Sequence, residues 1–223
     1  VAIKGSKIDG HDYIANAISN GARAIVCEFL PVELNSKVTY IQVPNSSYSL
    51  GVLASNFYNN PSAQIKLIGV TGTNGKTSIA TYLYELFQKL NFKSGLISTI
   101  ENKINNKVLA SNLTTPDPLE INSLLSLMIQ EDCTYCFMEV SSHGIAQNRI
   151  AGLSFDIGVF SNITRDHLDY HNSFEEYLNT KKQFFDSLDE SAKSIVNIDD
   201  TYASSMLSNT KSNKIFYGLS KNA

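Results

Sequence analysis

The sequence predicts an α/β protein in two parts, a small N-terminal α/β unit followed by a larger domain whose sheet is mostly parallel. Short apolar runs alternate with helical patterns along the chain, which is typical of parallel strands covered by helices. The turn-forming residues 59–62 interrupt this alternation. A glycine-rich segment, residues 69–78, then separates an apolar run from a helical pattern. We therefore expect one unit over residues 1–62 and a second over residues 63–223.

Each element is predicted from its own pattern, taken in chain order. Apolar runs bounded by turn residues predict strands at residues 1–3, 24–27, 40–43, 65–70, 95–98, 135–140, 157–160, 194–198 and 214–217. Apolar residues at helical spacing predict helices at residues 11–19, 47–58, 76–90, 119–130, 173–187 and 201–207. Both predicted units thus alternate strand and helix.

Composition indicates a globular cytoplasmic protein. Of the 223 residues, 43% are hydrophobic and 17% are charged, and the net charge is −3 without any basic run, which disfavours a nucleic-acid partner. No apolar stretch approaches the roughly 18 residues of a membrane span, and no signal-peptide pattern opens the chain. Cys27, Cys133 and Cys136 lie in apolar settings, so we expect buried thiols in a reducing compartment. A start at Val1 in an apparent strand suggests a fragment of a longer protein.

The glycine-rich segment predicts a phosphate-binding loop. Backbone N–H groups at the start of a helix face one point, where the helix dipole also favours an anion. Lys76 would reach the terminal phosphates of a nucleotide, and the Thr77 hydroxyl would bind Mg²⁺. The spacing is a variant of the standard pattern, because Val70 stands where a glycine six residues before the lysine is usual. A glycine-rich turn without a ligand is the alternative.

Four further polar clusters suggest an active site. Glu139 ends an apolar strand, where a nucleotide-binding sheet places a Mg²⁺ ligand; the alternative is a surface residue or one that pairs with a lysine. Residues 161–171 follow another apolar strand and include His167, a candidate metal or phosphate ligand or a structural histidine. Residues 114–118 precede a helix and suit an anionic or sugar ligand, or simply begin that helix. Arg149, in the polar segment 147–149, could bind a carboxylate or a phosphate, or be an ordinary surface arginine.

These motifs together resemble the Mur ligases. The segments GVTGTNGKTS, LTTPDPLEI, FMEVSSHGIAQNRI, FSNITRDHLDYHNSFEEYLNTKKQFF and VNIDD follow one another in the family's order. The opening VAIKGSKIDGHDYIANAISNGARAIVCE resembles the family's N-terminal UDP-binding domain, so the likeness spans essentially the whole chain. Within the family, the match is closest to the ligases that add the third amino acid of the peptidoglycan peptide.

The resemblance implies an ATP-dependent reaction and assigns residues to it. ATP phosphorylates the glutamate carboxylate of UDP-N-acetylmuramoyl-L-alanyl-D-glutamate, and the amine of the added amino acid attacks the acyl phosphate. Lys76, His167 and Lys181 would be catalytic, with Lys181 as an N-carboxylysine, and Thr77, Glu139, His167 and Lys181 would serve Mg²⁺. ATP would contact Gly72, Thr73, Asn74, Gly75, Lys76, Thr77 and Ser78. The muramoyl dipeptide would contact Ser6, Lys7, Ile8, Thr114, Thr115, Ser142, Gln147 and Arg149.

Several alternatives stay open at this stage. The family has a third, C-terminal domain that contacts adenine and the amino acid, and its motif is not in these residues. The added residue could therefore be meso-diaminopimelate or lysine, and this fragment could bind ligands without turnover. A sister Mur ligase or a folylpolyglutamate synthase would share the phosphate loop, as would a P-loop kinase or GTPase. We expect a monomer with no membrane association.

Overall fold

The computed structural model describes residues 1–5, 8–166 and 170–219, and it confirms an α/β fold. The first part contains a two-stranded parallel sheet of β1 and β2. Its elements are a 3-10 helix at Gly10–Tyr13, α1 at Ile14–Ser19, β1 at Ala24–Cys27, β2 at Thr39–Gln42 and α2 at Ser46–Phe57. Ala2, Ile14, Ile25 and Cys27 form its small core.

Two predictions for this part were wrong in detail. Residues 1–3 do not form a strand, because Ala2 makes one hydrogen bond to the Val26 carbonyl and the only ladder contact described nearby is an isolated bridge between Lys4 and Asp9. The helix predicted from residue 11 begins as a 3-10 turn, where the Asp9 carboxylate accepts from the His11 backbone N–H. Local capping therefore decides where this helix begins.

The second part is built on an eight-stranded sheet in the order β10-β9-β8-β3-β7-β4-β5-β6. The strands are β3 at Lys66–Thr71, β4 at Ser94–Ile97, β5 at Glu101–Ile104, β6 at Lys107–Ala110, β7 at Tyr135–Glu139, β8 at Ile157–Phe160, β9 at Lys193–Asn197 and β10 at Asn213–Tyr217. The helices are α3 at Lys76–Lys89, α4 at Pro118–Gln130, α5 at Ser142–Ala146, α6 at Phe174–Asp186 and α7 at Ala203–Met206, besides a 3-10 helix at Pro61–Ala63. Neighbouring strands from β10 to β4 are parallel, as the sequence predicts.

An antiparallel hairpin of β5 and β6 extends one edge of this sheet and was missed. Strand β5 has one apolar residue, Ile104, and the apolar run of β6 spans only residues 108–110, so neither strand shows a clear apolar alternation. The sequence does contain a turn signal, the asparagine at position 105. Asparagine tolerates the left-handed region that tight hairpin turns need, and Asn105 has a φ of 49°. The short helix α5 was missed as well, since five residues are too few to show a helical period.

The centre of the sheet is buried on both faces. Along β3, Leu67 packs with α4 and α6 residues, whereas the next residue, Ile68, packs on the opposite face with Tyr84 of α3. This alternation is what a parallel strand between two helical layers requires. The carboxyl ends of β3, β7 and β8 consequently meet at one edge of the sheet, where ligands bind in open α/β sheets.

Two glycines bring α2 close to the turn after α5. A Cβ on Gly51 would lie 2.5 Å from the Ala151 carbonyl oxygen, and a Cβ on Gly152 would lie 3.0 Å from the Gly51 carbonyl oxygen. Gly152 also has a φ of 77°, which L side chains rarely adopt. The helix of the first part therefore rests backbone to backbone on the second part.

The cysteines and the lengths of the helices bear on two expectations drawn from composition. The three cysteines are buried free thiols, as predicted. Among the described residues, no helix is both long enough and apolar enough to span a bilayer.

Candidate active site

The glycine-rich loop connects β3 to α3 at the carboxyl edge of the sheet. Gly72 has a φ of 147° and Gly75 a φ of 87°, so both adopt backbone conformations that favour glycine. A Cβ on Gly72 would overlap the Ser161 hydroxyl. Gly75 caps α3, and the first N–H groups of that helix have no partner within the helix. The loop thus presents helix N–H groups to the cavity in front of it.

Residues that follow β8 hold this loop in place. The Asn162 carbonyl accepts from the Thr73 N–H at 2.8 Å, and the Asn162 side-chain oxygen accepts from the Asn74 N–H at 3.1 Å. The Ser161 hydroxyl donates to the Asn74 carbonyl at 2.7 Å. Since the Thr73 and Asn74 amides bind protein atoms, an anion would be held by the amides that begin α3.

Two lysines converge on the Gly72 carbonyl oxygen. Lys76 Nζ donates to it at 3.0 Å and to the Thr73 carbonyl at 2.8 Å, and Lys181 Nζ of α6 donates to the same Gly72 oxygen at 2.9 Å. Burial lowers the pKa of Lys76. Burial, together with the neighbouring charge of Lys76, lowers the pKa of the fully buried Lys181 to about 7. The Lys181 amine, 4.7 Å from the Tyr177 ring centroid, is therefore readily available in its neutral form.

A buried carboxylate at the end of β7 faces the first turn of α3. Glu139 is fully buried, and its Oε2 accepts from the Thr77 hydroxyl at 2.9 Å. Its Oε1 accepts from the Thr99 N–H at 2.8 Å and from the Thr99 hydroxyl at 3.1 Å. Because Thr77 donates its proton to Glu139, the hydroxyl lone pairs stay available to a cation.

This donor set fits Mg²⁺ held together with phosphates. Magnesium usually binds one or two protein oxygens and keeps water or phosphate in its other positions. Within the described ranges, no group of three or more histidine, cysteine, aspartate or glutamate side chains could hold a metal alone. Thr77 and Glu139 accordingly provide a partial oxygen site, not a complete protein cage.

A cavity of about 550 Å³ joins this region to the predicted substrate residues. The Ser142 hydroxyl lies in its wall, buried and without a protein hydrogen-bond partner, so it can bond to a molecule in the cavity. Thr115 also lies in the wall, but its hydroxyl donates to the Glu139 carbonyl and accepts from the Ser141 N–H. The cavity is lined by Thr73, Asn74, Gly75, Lys76, Thr77, Thr99, Leu113, Thr114, Thr115, Glu139, Ser141, Ser142, His143, Arg149 and Lys181.

Arg149 reaches the cavity wall with its guanidinium already oriented. One NH group donates to the Thr115 carbonyl at 2.6 Å, and two others donate to the Gln147 side-chain oxygen at 2.6 and 3.1 Å. Gln147 in turn donates to the Tyr170 hydroxyl at 3.3 Å. Gln147 therefore supports Arg149 from outside the set of residues that line the cavity.

The remaining predicted residues lie elsewhere. Ser78 is an exposed residue in the first turn of α3. Ile8 is 61% exposed and lies outside the cavity lining. Three residues fall outside the ranges that the structure describes, namely Ser6, Lys7 and His167.

Sequence reasoning singled out nothing at Thr99, and it included Ser161 and Asn162 in the polar cluster at residues 161–171 without giving either a role of its own. Each follows a strand of the large sheet, Thr99 after β4 and the other two after β8. Polar residues directly after a parallel strand meet at the ligand-binding edge, so this position was the available signal. Their contacts with Glu139 and the phosphate loop come from segments far apart in the chain and were not readable from spacing.

The fold and the loop together define an α/β protein with a glycine-rich loop of the phosphate-binding kind, which faces a buried carboxylate. Comparison with known families is specific: residues 70–223 match the description "Mur ligase middle domain", and residues 1–58 match "Mur ligase family, catalytic domain". The chain belongs to the Mur ligase family.

Individual relatives show how similar the chain is to single proteins and how much of each it covers. The chain is 51% identical over 220 residues to the UDP-N-acetylmuramoyl-L-alanyl-D-glutamate–2,6-diaminopimelate ligase of Cytophaga hutchinsonii, covering 98% of this chain and 45% of that protein. A solved ligase of the same name is 27% identical with a TM-score of 0.84, covering 100% of this chain and 46% of the other. MurF ligase from Thermotoga maritima, solved with ADP, is 25% identical with a TM-score of 0.58, covering 97% and 46%. The chain thus spans about half the length of these relatives.

Proposed function

We propose that this chain is part of an ATP-dependent ligase that joins an amino acid to UDP-N-acetylmuramoyl-L-alanyl-D-glutamate. One observation carries the proposal: a single cavity holds the phosphate loop, the Thr77–Glu139 pair and the unpartnered hydroxyl of Ser142. A nucleotide and a second polar substrate can therefore lie side by side. The name of the 51%-identical relative supports this choice of substrate.

The nucleotide would occupy the loop side of the cavity. The amides that begin α3 and the Lys76 ammonium would bind the phosphates, and Thr77 and Glu139 would contribute oxygen ligands to Mg²⁺. Bound there, Mg²⁺ would offset the charge of the phosphoryl group. His167, proposed from the family resemblance as a ligand of a second Mg²⁺, belongs to the same proposal.

The muramoyl dipeptide would occupy the other side. Arg149, Ser142 and Thr114 offer hydrogen bonds to carboxylate and carbonyl oxygens there, and the N-terminal unit would hold the UDP group. Transfer of the terminal phosphoryl group to the carboxylate supplies a leaving group that a free carboxylate lacks. ADP is released in this first step. Attack by the amine on the acyl phosphate then forms the amide, expels phosphate together with the former carboxylate oxygen, and releases a proton.

We also propose that Lys181 carries a carboxyl group in the active protein. The neutral amine would add CO₂ to form a carbamate and release one proton, which turns a cation into an anion with hard oxygen ligands. The lowered pKa of Lys181 supports this step. Activity of Lys181→Ala should fall by orders of magnitude and return in part with added short carboxylic acids, whereas Lys182→Ala should keep its activity. Full activity of Lys181→Ala without acid would contradict the carbamate.

The whole protein provides the decisive test of the ligase. It should consume ATP and form a UDP-linked tripeptide, detected by mass, from the UDP-linked dipeptide and an amino acid. The relative's name makes meso-diaminopimelate the first amino acid to test, and L-lysine is the alternative. A protein that instead extends folate would be a folylpolyglutamate synthase, and one that binds ligands without any product would be a binding module only. Size measured in solution would test the expected monomer.

A further inference from the structure

Thr99 connects the two sides of the cavity. Its backbone N–H and its hydroxyl both lie within hydrogen-bond distance of Glu139 Oε1, at 2.8 and 3.1 Å. The same hydroxyl lies 3.1 Å from the hydroxyl of Thr114. Glu139 faces the nucleotide side through Thr77, and Thr114 lies in the wall on the substrate side. One side chain therefore touches both the proposed cation ligand and a proposed substrate contact.

The Thr99 hydroxyl has one proton and two candidate acceptors at equal distance. In one arrangement it donates to Glu139, and Thr114 donates to Thr99, so that Thr114 turns its lone pairs toward the cavity. In the other arrangement Thr99 donates to Thr114, which then turns its own proton toward the cavity. The Thr99 backbone N–H satisfies Glu139 Oε1 in both cases.

The charge at Glu139 selects between these arrangements. A carboxylate is a strong acceptor, and a charge-assisted hydrogen bond is about twice as strong as a neutral one. With no cation nearby, Glu139 therefore draws the Thr99 proton. A cation bound by Glu139 competes for the same lone pairs and weakens that attraction, which frees the proton for Thr114.

We infer that Thr99 is a positioning residue that couples the binding of the Mg²⁺–nucleotide to the binding of the muramoyl dipeptide. When the cation side is filled, Thr114 presents a donor that suits a carboxylate or carbonyl oxygen of the substrate. When it is empty, Thr114 presents lone pairs that disfavour such an oxygen. Each ligand therefore tightens the other, because coupling between two binding sites is reciprocal. This inference rests on the proposed function.

The test measures affinity without turnover in the whole protein. Calorimetric titration gives the Kd of UDP-N-acetylmuramoyl-L-alanyl-D-glutamate with and without saturating Mg²⁺–ADP, and the ratio of the two values is the coupling factor. Thr99→Val removes the hydroxyl but keeps the backbone N–H. We expect its coupling factor to fall by about fivefold or more, the usual size of one hydrogen bond or a modest coupling.

Two further variants separate coupling from damage to the fold. Thr99→Ser keeps the hydroxyl and should retain the wild-type coupling factor within about twofold. Thr134→Val removes an exposed threonine before β7, at the opposite end of that strand from Glu139, and should also leave it unchanged. Thr114→Val should lower the coupling factor, and combining it with Thr99→Val should add little, because both variants break the same chain of hydrogen bonds.

The outcomes distinguish this inference from the proposed function. Wild-type protein that does not bind the UDP-linked dipeptide would refute both. Wild-type binding with an equal coupling factor in Thr99→Val would refute the role of Thr99 alone. Loss of coupling in Thr99→Val, with recovery in Thr99→Ser, would support it.

Discussion

At the residue scale, the amines of Lys76 and Lys181 share one carbonyl oxygen at the glycine-rich loop, and burial lowers the pKa of both. The Gly72 oxygen accepts from Lys76 and from Lys181. A carbonyl oxygen carries only a partial negative charge, so it does not neutralise the Lys76 ammonium, which stays available to an anion. For Lys76 that anion would be a nucleotide phosphate.

Lys76→Ala should abolish most ATP-dependent turnover in the whole protein while the fold stays intact. Removing one charge contact to the developing transition state typically costs about 10²–10³ in rate. Steady-state release of ADP measures the effect. Lys89→Ala, at the exposed last turn of the same helix, should leave the rate unchanged. Near-normal kcat in Lys76→Ala would rule out the phosphate-loop role.

Replacing Lys181 by methionine should change how stability depends on pH. The folded pKa of Lys181 is about 7, below the ordinary 10.5, so between those values the unfolded chain binds more protons than the folded chain. The free energy of unfolding of the wild type therefore rises with pH across roughly pH 7 to 10.5, and Lys181→Met should lose this rise.

Urea titrations at several pH values measure this difference, with Lys182→Met as the control. Lys182 is the neighbour on the same helix, turned by about 100°, and pairs with Asp186 at 2.6 Å. Parallel pH curves for wild type and Lys181→Met would show that Lys181 keeps an ordinary pKa in the fold.

The sequence predicts where a candidate residue lies in an element better than it predicts which atoms that residue contacts. Gly-Lys-Thr is local, so its place at the start of α3 followed from spacing alone. Thr115 was predicted to bind substrate, but its hydroxyl bonds the Glu139 carbonyl and the Ser141 N–H. Those partners lie more than twenty residues away, and no pattern in the sequence reports how the two segments meet.

At the scale of elements, the β3–loop–α3 unit depends on Gly72, which packs directly against Ser161. Gly72→Ala would place a methyl group against the Ser161 hydroxyl and force a φ of 147° on an L side chain. We expect a loss of about 1–3 kcal/mol in stability and a marked loss of nucleotide affinity, measured by thermal unfolding and fluorescent-nucleotide titration.

Gly21→Ala is the matched control for that variant. Gly21 also has a positive φ, 99°, but a Cβ there would meet nothing within 4 Å. It should lose stability through backbone strain alone and leave nucleotide affinity unchanged. Equal nucleotide affinity in Gly72→Ala and wild type would contradict the close approach of Ser161 to the loop.

Elements with a clear apolar pattern were predictable from the sequence. Elements that form only because they pair with a neighbouring element were not. The buried strands β3 and β7 follow from continuous apolar runs. The first strand of the β5–β6 hairpin has only one apolar residue, and the hairpin forms because this strand can pair with β4. Pairing with an existing sheet outweighs weak intrinsic strand preference, which is why sequence alone passed over it.

At the scale of the whole molecule, the substitution Gly51→Ala tests how closely α2 packs against the second part. Alanine normally stabilises a helix interior by about 1 kcal/mol over glycine. Here the added methyl group would meet the Ala151 carbonyl oxygen at 2.5 Å, and overpacking against backbone costs about 1–3 kcal/mol. We expect Gly51→Ala to lower the Tm, whereas Asn56→Ala on the exposed face of α2 should hold or raise it. A higher Tm for Gly51→Ala would contradict the contact.

The strand–helix alternation predicted two sheets and their class, but not how the parts are packed together. Gly51 reads in the sequence as an unremarkable interruption of a helix, and Ala151–Gly152 as part of a turn. Close approach between two backbones leaves no apolar stripe in the sequence, so its detection required coordinates.

The contact of Gly51 with the turn at Ala151 restricts how this protein can change over generations. Every amino acid other than glycine adds at least one heavy atom, so no mutation at position 51 can draw α2 nearer to the turn. Substitutions at position 51 can only keep or increase the distance between α2 and the turn at Ala151. Lineages that adjust how the first part faces the cavity must therefore do so through other positions, such as the exposed residues of α2 or the segment that leads out of it.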